Sequence, residues 1–268
     1  MKAMVFAAGL GTRLKPLTDS IPKALVPVCG QPLLYHVITK LRDCGYDDIV
    51  VNVHHFAGQI REYLRTHDLG VSVSISDESD LLRETGGGIM HARRFLEGSG
   101  TFLVHNVDIL SDLDLRWFRE QWRPGALATL LVSERQTQRY LLFDDGLRLV
   151  GWTNIATGEV RSPYPGLDAA RCRRYAFAGI HNISPEIFGL FDALSCPERF
   201  PIIDFYLKVC DRYPVYGAVP AQLSIIDVGK LDTLAEAERF AYLCGHEKDN
   251  ACNCGNSIDD DSRIRTEV

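Results

Sequence analysis

From residue 2 to about residue 108, short apolar runs alternate with stretches whose apolar residues recur at helical spacing, and few folds accept that order. Residues 2–7 form an apolar run closed by Gly9 and predict a buried strand. Residues 32–43 predict a helix: Pro32 stands at its start, Leu33, Leu34, Val37, Ile38 and Leu41 share one face, and Gly45 follows its end. The same reading gives strands at 49–53, 71–75 and 101–104 and helices at 57–65 and 87–97. Strand and helix in strict alternation predict a parallel sheet with helices on both faces, joined by right-handed crossovers. Ligands of such sheets bind beyond the carboxyl ends of the strands. The glycine-containing loop after the first strand and Asp108 after the fourth both lie at such ends.

Beyond residue 108 the pattern changes. A strand is predicted at 126–132, hairpins and loops at 140–177, helices at 183–194 and 202–213, a strand at 224–229, and a final amphipathic helix carrying Leu231, Leu234, Ala237, Phe240 and Ala241. The expected fold is therefore α/β, with a Rossmann-like mixed, mainly parallel sheet flanked by helices and a smaller β-rich subregion. One domain is expected over 1–245, with halves at 1–110 and 111–245, followed by a flexible polar tail at 246–268. The chain has 268 residues, 46% of them hydrophobic, enough for a sizeable core. Its net charge of −6 argues against nonspecific nucleic-acid binding. The apolar run near Met1 is too short for a secretory core or a membrane span, so a cytoplasmic protein is expected. The cysteines then read as reduced thiols. Cys252-Asn253-Cys254 has the wrong spacing and no partner pair for a zinc site. Oligomeric state is not legible, and a homodimer is left open.

Residues 6–28 read FAAGLGTRLKPLTDSIPKALVPV. A dinucleotide fingerprint needs a third glycine, but Gly9-x-Gly11 is followed by Thr12, Arg13 and Leu14. A triphosphate P-loop needs Gly-Lys before Ser or Thr, which is absent. What remains is a strand opening into an extended loop. Gly9 and Gly11 let the backbone approach a polyphosphate, Arg13 can fork onto phosphate oxygens, and Lys23, set before a buried run, can be aimed. A surface loop with merely solvated Arg and Lys is the plain alternative.

The whole string resembles the signature of sugar-1-phosphate nucleotidylyltransferases. Phe6-Ala7-Ala8-Gly9-Leu10-Gly11-Thr12-Arg13-Leu14-Lys15-Pro16-Leu17-Thr18 and Pro22-Lys23-Ala24-Leu25-Val26-Pro27-Val28 carry the match. The resemblance implies that Ala7, Ala8, Gly9, Gly11, Thr12, Arg13 and Lys23 bind the nucleoside triphosphate, with Thr85 and Gly86 on the base side. Asp108 in Asn106-Val107-Asp108 is similar to the family's metal aspartate, although Val107 replaces the usual glycine. Asp227 in Ile226-Asp227-Val228-Gly229 is similar to the second metal ligand. Arg83-Glu84-Thr85-Gly86-Gly87-Gly88-Ile89 resembles the motif of N-acetylmuramic acid 1-phosphate uridylyltransferases and related short members. Tyr175-Ala176-Phe177-Ala178-Gly179-Ile180 resembles the sugar-site strand, so Glu84, Gly179 and Asp108 are implied to meet the sugar. Arg13, Lys23 and Asp108 are the implied catalytic residues, and Mg²⁺ on Asp108 and Asp227 is the implied cofactor.

The implied reaction is attack of a sugar 1-phosphate on the α-phosphorus of a nucleoside triphosphate, with UTP favoured. Its nucleophile is already anionic, so it needs alignment and charge neutralisation more than a base. On the residues alone, Asp108 also fits a helix N-cap, Asp227 a turn, and Gly86-Gly87-Gly88 a hinge or an anion platform before a helix. His54 and His55 point to opposite strand faces, and His105 reads as a packed strand residue. Guanylyl transfer to a mannose- or heptose-type 1-phosphate, and a non-catalytic nucleotide-sugar-binding regulator, remain as alternatives. The segment 135–174 is expected to shape the sugar pocket.

Overall fold

The computed structural model describes residues 1–98 and 100–253, with side chains as far as Leu243. Its strands are β1 (Lys2–Phe6), β2 (Pro27–Val28), β3 (Gln31–Pro32), β4 (Asp48–Val53), β5 (Ser72–Asp77), β6 (Phe102–Asn106), β7 (Ile109–Ser111), β8 (Ala128–Ser133), β9 (Arg139–Phe143), β10 (Leu149–Asn154), β11 (Glu159–Arg161), β12 (Arg173–Ile183), β13 (Val215–Ala218) and β14 (Ile225–Asp227). Its α-helices are α1 (Leu33–Asp43), α2 (Ala57–Thr66), α3 (Glu84–His91), α4 (Arg93–Leu96), α5 (Leu115–Glu120), α6 (Glu186–Ala193), α7 (Ile202–Val209) and α8 (Leu234–Asn253).

The order β6–β1–β4–β5 is parallel throughout, as the alternation predicts. Both faces of these strands are covered, which is why they read as continuous apolar runs rather than alternating ones. Val5, Val51 and Leu103 pack on one face with Leu34 and Ile38 of α1. Met4, Val50 and Val104 pack on the other with Ile89 of α3 and Phe188 of α6. The second half of the chain joins through β12, antiparallel to β6, β8 and β9, and the antiparallel strands β10 and β11 extend the sheet from β9. These three outer strands form the β-rich subregion expected from the turn signals.

Several boundaries differ from the sequence reading. Ile183 ends β12 instead of opening a helix, because Pro185 sets the start of α6 at Glu186. The 87–97 segment is two helices, beginning at Glu84. The loop after β1 is not simply extended: it folds into three short 3₁₀ turns at Thr12–Leu14, Leu17–Asp19 and Lys23–Leu25. Helix α8 runs on to Asn253, across the boundary drawn at 245–246, since polar composition without proline does not stop a helix. The expectation for 254–268, with Cys254, lies outside the described residues. Among the described residues no helix is long and apolar enough to cross a membrane.

Candidate active site

Two chain crossings bring the predicted carboxylates together. Val107 follows β6 directly, and Asp108 leads into β7. β14 pairs antiparallel with β7, setting Asp227 opposite Ile109, and Val228 N–H donates to the Asp108 carbonyl oxygen at 2.8 Å. The two aspartates thus sit side by side at the carboxyl end of the parallel sheet, although they are far apart in sequence. Val107 is buried and has no positive φ, so this backbone path does not require the glycine that the family pattern has there.

The loop after β1 closes over this pair. Lys23 begins the third 3₁₀ turn, and its ammonium forms an ion pair with Asp108 Oδ2. Gly11 has φ +66°, and a β-carbon there would lie 2.9 Å from Thr18 Cγ2 and 3.1 Å from Lys23 Cβ. Thr18 Oγ1 donates to the Gly11 carbonyl at 2.8 Å, so glycine, threonine and lysine lock one another. Among the described residues nothing lies within 4 Å of the corresponding position on exposed Gly9, so their packing does not require glycine there. Thr12 and Arg13 are exposed at the first turn. Arg13 reaches the second aspartate's neighbourhood: a β-carbon on Gly229 would lie 2.8 Å from Arg13 Nη2 and 2.6 Å from Asp227 Oδ1.

Gly179 also arrives at this centre. It has φ +77° in an irregular stretch of β12, and a β-carbon there would lie 2.8 Å from Asn106 Nδ2 and 3.1 Å from Ile109 Cγ1. It therefore flanks Asp108 from the second half of the chain. Between β9 and the start of β12, an open recess of about 480 Å³ is lined by Tyr140 and Ile155, within the 135–174 segment expected to shape the sugar pocket, and by Tyr175 just beyond it.

The Glu84-Thr85-Gly86 group is arranged differently from the expected platform. It lies within α3, and the N–H groups of Gly86 and Gly87 are both spent on the Phe200 carbonyl, at 2.8 and 3.2 Å. Thr85 Oγ1 accepts from Ile202 N at 2.9 Å, at the start of α7, and the Glu84 carboxylate pairs with Arg199. A β-carbon on Gly86 or Gly87 would lie 2.2 Å from Phe200 Cε2 or the Glu198 carbonyl oxygen. The glycines thus serve close helix–loop packing, and the hydrogen bonds of all three residues run to 199–202.

The sequence reading missed Asn52 and Glu78. Asn52 Oδ1 accepts from Ala7 N at 2.7 Å, and Asn52 Nδ2 donates to Glu78 Oε1 at 2.7 Å. Glu78 Oε2 accepts from Arg83 N at 3.3 Å. Burial holds the Glu78 carboxyl above its ordinary range, against the opposing pull of Asn52 and Arg83. A β-carbon on Gly88 would lie 3.0 Å from Glu78 Oε1, so this glycine leaves room for the network. A buried polar chain thereby ties the entry of the glycine loop to the residue before α3. A polar Asn inside the otherwise apolar run 49–53 was the available signal.

The first 140 residues carry the decisive match: the family model described as "Nucleotidyl transferase" covers residues 2–140. The chain belongs to this nucleotidyl transferase family. It is 42% identical over 243 residues, 90% of this chain and 98% of the relative, to the N-acetylmuramate alpha-1-phosphate uridylyltransferase of Neisseria meningitidis serogroup B. It is 35% identical over 69% of its length to the enzyme of the same name from Caulobacter vibrioides, covering 76% of that relative. The fold is similar to that of HddC from Yersinia pseudotuberculosis complexed with GMP-PN, with a TM-score of 0.69 at 21% identity, covering 89% of this chain and 98% of that one. This nucleotidyl transferase is an enzyme of sugar-1-phosphate nucleotidyl transfer.

The donor set fits a divalent ion. Asp227 Oδ1 is buried without a hydrogen-bond partner among the described residues, on the segment whose backbone pairs beside Asp108. Hard oxygen donors suit Mg²⁺, which keeps water and phosphate ligands beside one or two carboxylates. Among the described residues no group of three or more His, Cys, Asp or Glu could hold a metal, so this pair would depend on such outside ligands. The histidines lie in other roles: His54 Nδ1 is 2.6 Å from the Glu78 carbonyl oxygen, and His105 is buried, with its pKa lowered by desolvation to about 4.

Proposed function

We propose that this enzyme transfers the uridylyl group of UTP to N-acetylmuramate α-1-phosphate, giving the UDP sugar and pyrophosphate. The observation that carries the reading is the 42% identity extending along 98% of the Neisseria enzyme. A sugar-phosphate oxygen attacks the α-phosphorus, and the bond from that phosphorus to the β-phosphate oxygen breaks. The attacking oxygen is anionic, so the difficulty is bringing two polyanions together rather than removing a proton. Arg13 and Lys23 would neutralise the triphosphate, and exposed Gly9 admits it close to the backbone. Gly179 and the recess beside Tyr140 would receive the sugar. Asp108 and Asp227 would hold Mg²⁺, whose chemistry is to neutralise and align phosphate oxygens.

The test is pyrophosphate release by the full chain with Mg²⁺, across UTP, GTP, dTTP and ATP crossed with N-acetylmuramate, glucose and mannose 1-phosphates. Release should be fastest with UTP and N-acetylmuramate α-1-phosphate. Asp108→Asn should lower kcat at least about 100-fold while the chain still melts cooperatively as a folded protein. Preference for GTP with mannose 1-phosphate would overturn the substrate assignment, and near-normal turnover of Asp108→Asn would overturn the assigned role of that carboxylate.

A further inference from the structure

The two aspartates at the centre are treated unequally. Asp108 already holds a cation: Lys23, 85 residues away in sequence, places its ammonium on Oδ2, with the two side chains only 11% and 19% exposed. That ammonium is not a wandering surface charge. Pro22 and the turn closed by Val26 N donating to the Lys23 carbonyl at 3.1 Å fix its backbone, and Gly11, itself held by Thr18 Oγ1, lies close against its stem. Asp227, set beside Asp108 by the β7–β14 pairing, has a buried Oδ1 with no hydrogen-bond partner among the described residues, although Arg13 Nη2 lies in its neighbourhood. An unpartnered buried carboxylate oxygen is unfavourable and calls for a cation. A divalent ion bridging the pair must approach the carboxylate that Lys23 occupies. Two positive centres on one carboxylate, about 4–5 Å apart, repel strongly in a partly buried site.

We propose that Lys23 competes with the divalent ion for Asp108, so that the two aspartates bind the ion weakly until a triphosphate draws the lysine away. The chain thereby couples metal loading to nucleotide arrival, and Lys23 serves two anions in turn. The proposal rests on reading Asp108 and Asp227 as metal ligands, and its test separates the two ideas.

The measurement is direct Mn²⁺ binding to the nucleotide-free full chain, read as free Mn²⁺ by electron paramagnetic resonance. Lys23→Met keeps the length of the side chain without its charge and should lower the Mn²⁺ Kd at least about tenfold. Lys23→Arg retains the charge and should bind as weakly as the wild type. Asp227→Asn should abolish binding in both the wild-type and Lys23→Met backgrounds. If Lys23→Met binds no tighter while Asp227→Asn still abolishes binding, the competition is refuted and the ligand pair stands. If Asp227→Asn leaves Mn²⁺ binding unchanged, the ligand assignment fails and the competition fails with it. Thermal melts check each variant, and Lys23→Gln carries the same comparison if Lys23→Met does not fold.

Discussion

Replacing Asn52 by alanine removes the side chain that joins the entry of the glycine loop to the buried carboxyl of Glu78. Two groups lose their partner together. Ala7 N–H, on a residue 2% exposed, loses its 2.7 Å acceptor, and Glu78 Oε1, on a residue with no exposure, loses its 2.7 Å donor. Each buried group left unsatisfied costs about 1–3 kcal/mol, so Asn52→Ala should destabilise the fold by about 4 kcal/mol. For a domain of this size that corresponds to a fall of roughly 10 °C in Tm. Urea denaturation at pH 7 gives the value directly, provided the slope with denaturant is unchanged. A loss below about 1 kcal/mol would mean that water reaches both groups, and would refute the reading of a dry network. Asn52→Asp adds a sign. It keeps an acceptor for Ala7 but sets a second carboxyl against Glu78, whose pKa burial already raises. The folded state then binds the proton more tightly than the unfolded one, so stability is lost as pH rises above the ordinary carboxylate range. Asn52→Asp should therefore lie nearer the wild type at pH 5 than at pH 8.

The remaining predictions concern the core beneath the site. Burial pushes His181 down to about 3 and His105 to about 4, so both bind protons more tightly when unfolded. Stability is full above the ordinary histidine value and should fall by about 2 kcal/mol for each between pH 7 and pH 5. His181→Phe should remove about half of that slope in urea titrations at the two pH values, and an unchanged slope would contradict the assignment. Gly87→Ala places a β-carbon 2.2 Å from the Glu198 carbonyl oxygen, a backbone atom that cannot step aside cheaply. It should lower the unfolding free energy by about 2–3 kcal/mol, and a neutral effect in the same assay would show that α3 is not clamped to that loop.

The sequence by itself determined the parallel half of the sheet, because strands covered on both faces must be apolar throughout and cannot be confused with solvent-facing loops. It determined α1 by a different periodicity, one apolar stripe at helical spacing that buries Leu34, Val37, Ile38 and Leu41. It also named Gly11 and Lys23, through the glycine-containing loop at a strand end, and, through the family resemblance, Asp108, Gly179 and Asp227. Only the tertiary structure decided how these residues meet. The β7–β14 pairing that sets Asp227 beside Asp108 joins segments far apart in the chain, and no local periodicity encodes such a contact. The same holds for Gly86 and Gly87: as a string they fit a hinge or an anion platform, and only the approach of Phe200 turns them into packing residues with their N–H groups already taken. The Lys23–Asp108 ion pair and the Asn52–Glu78 network are decided at that level too. A charge or an amide in a sequence has no partner until folding brings another strand's end within hydrogen-bond reach.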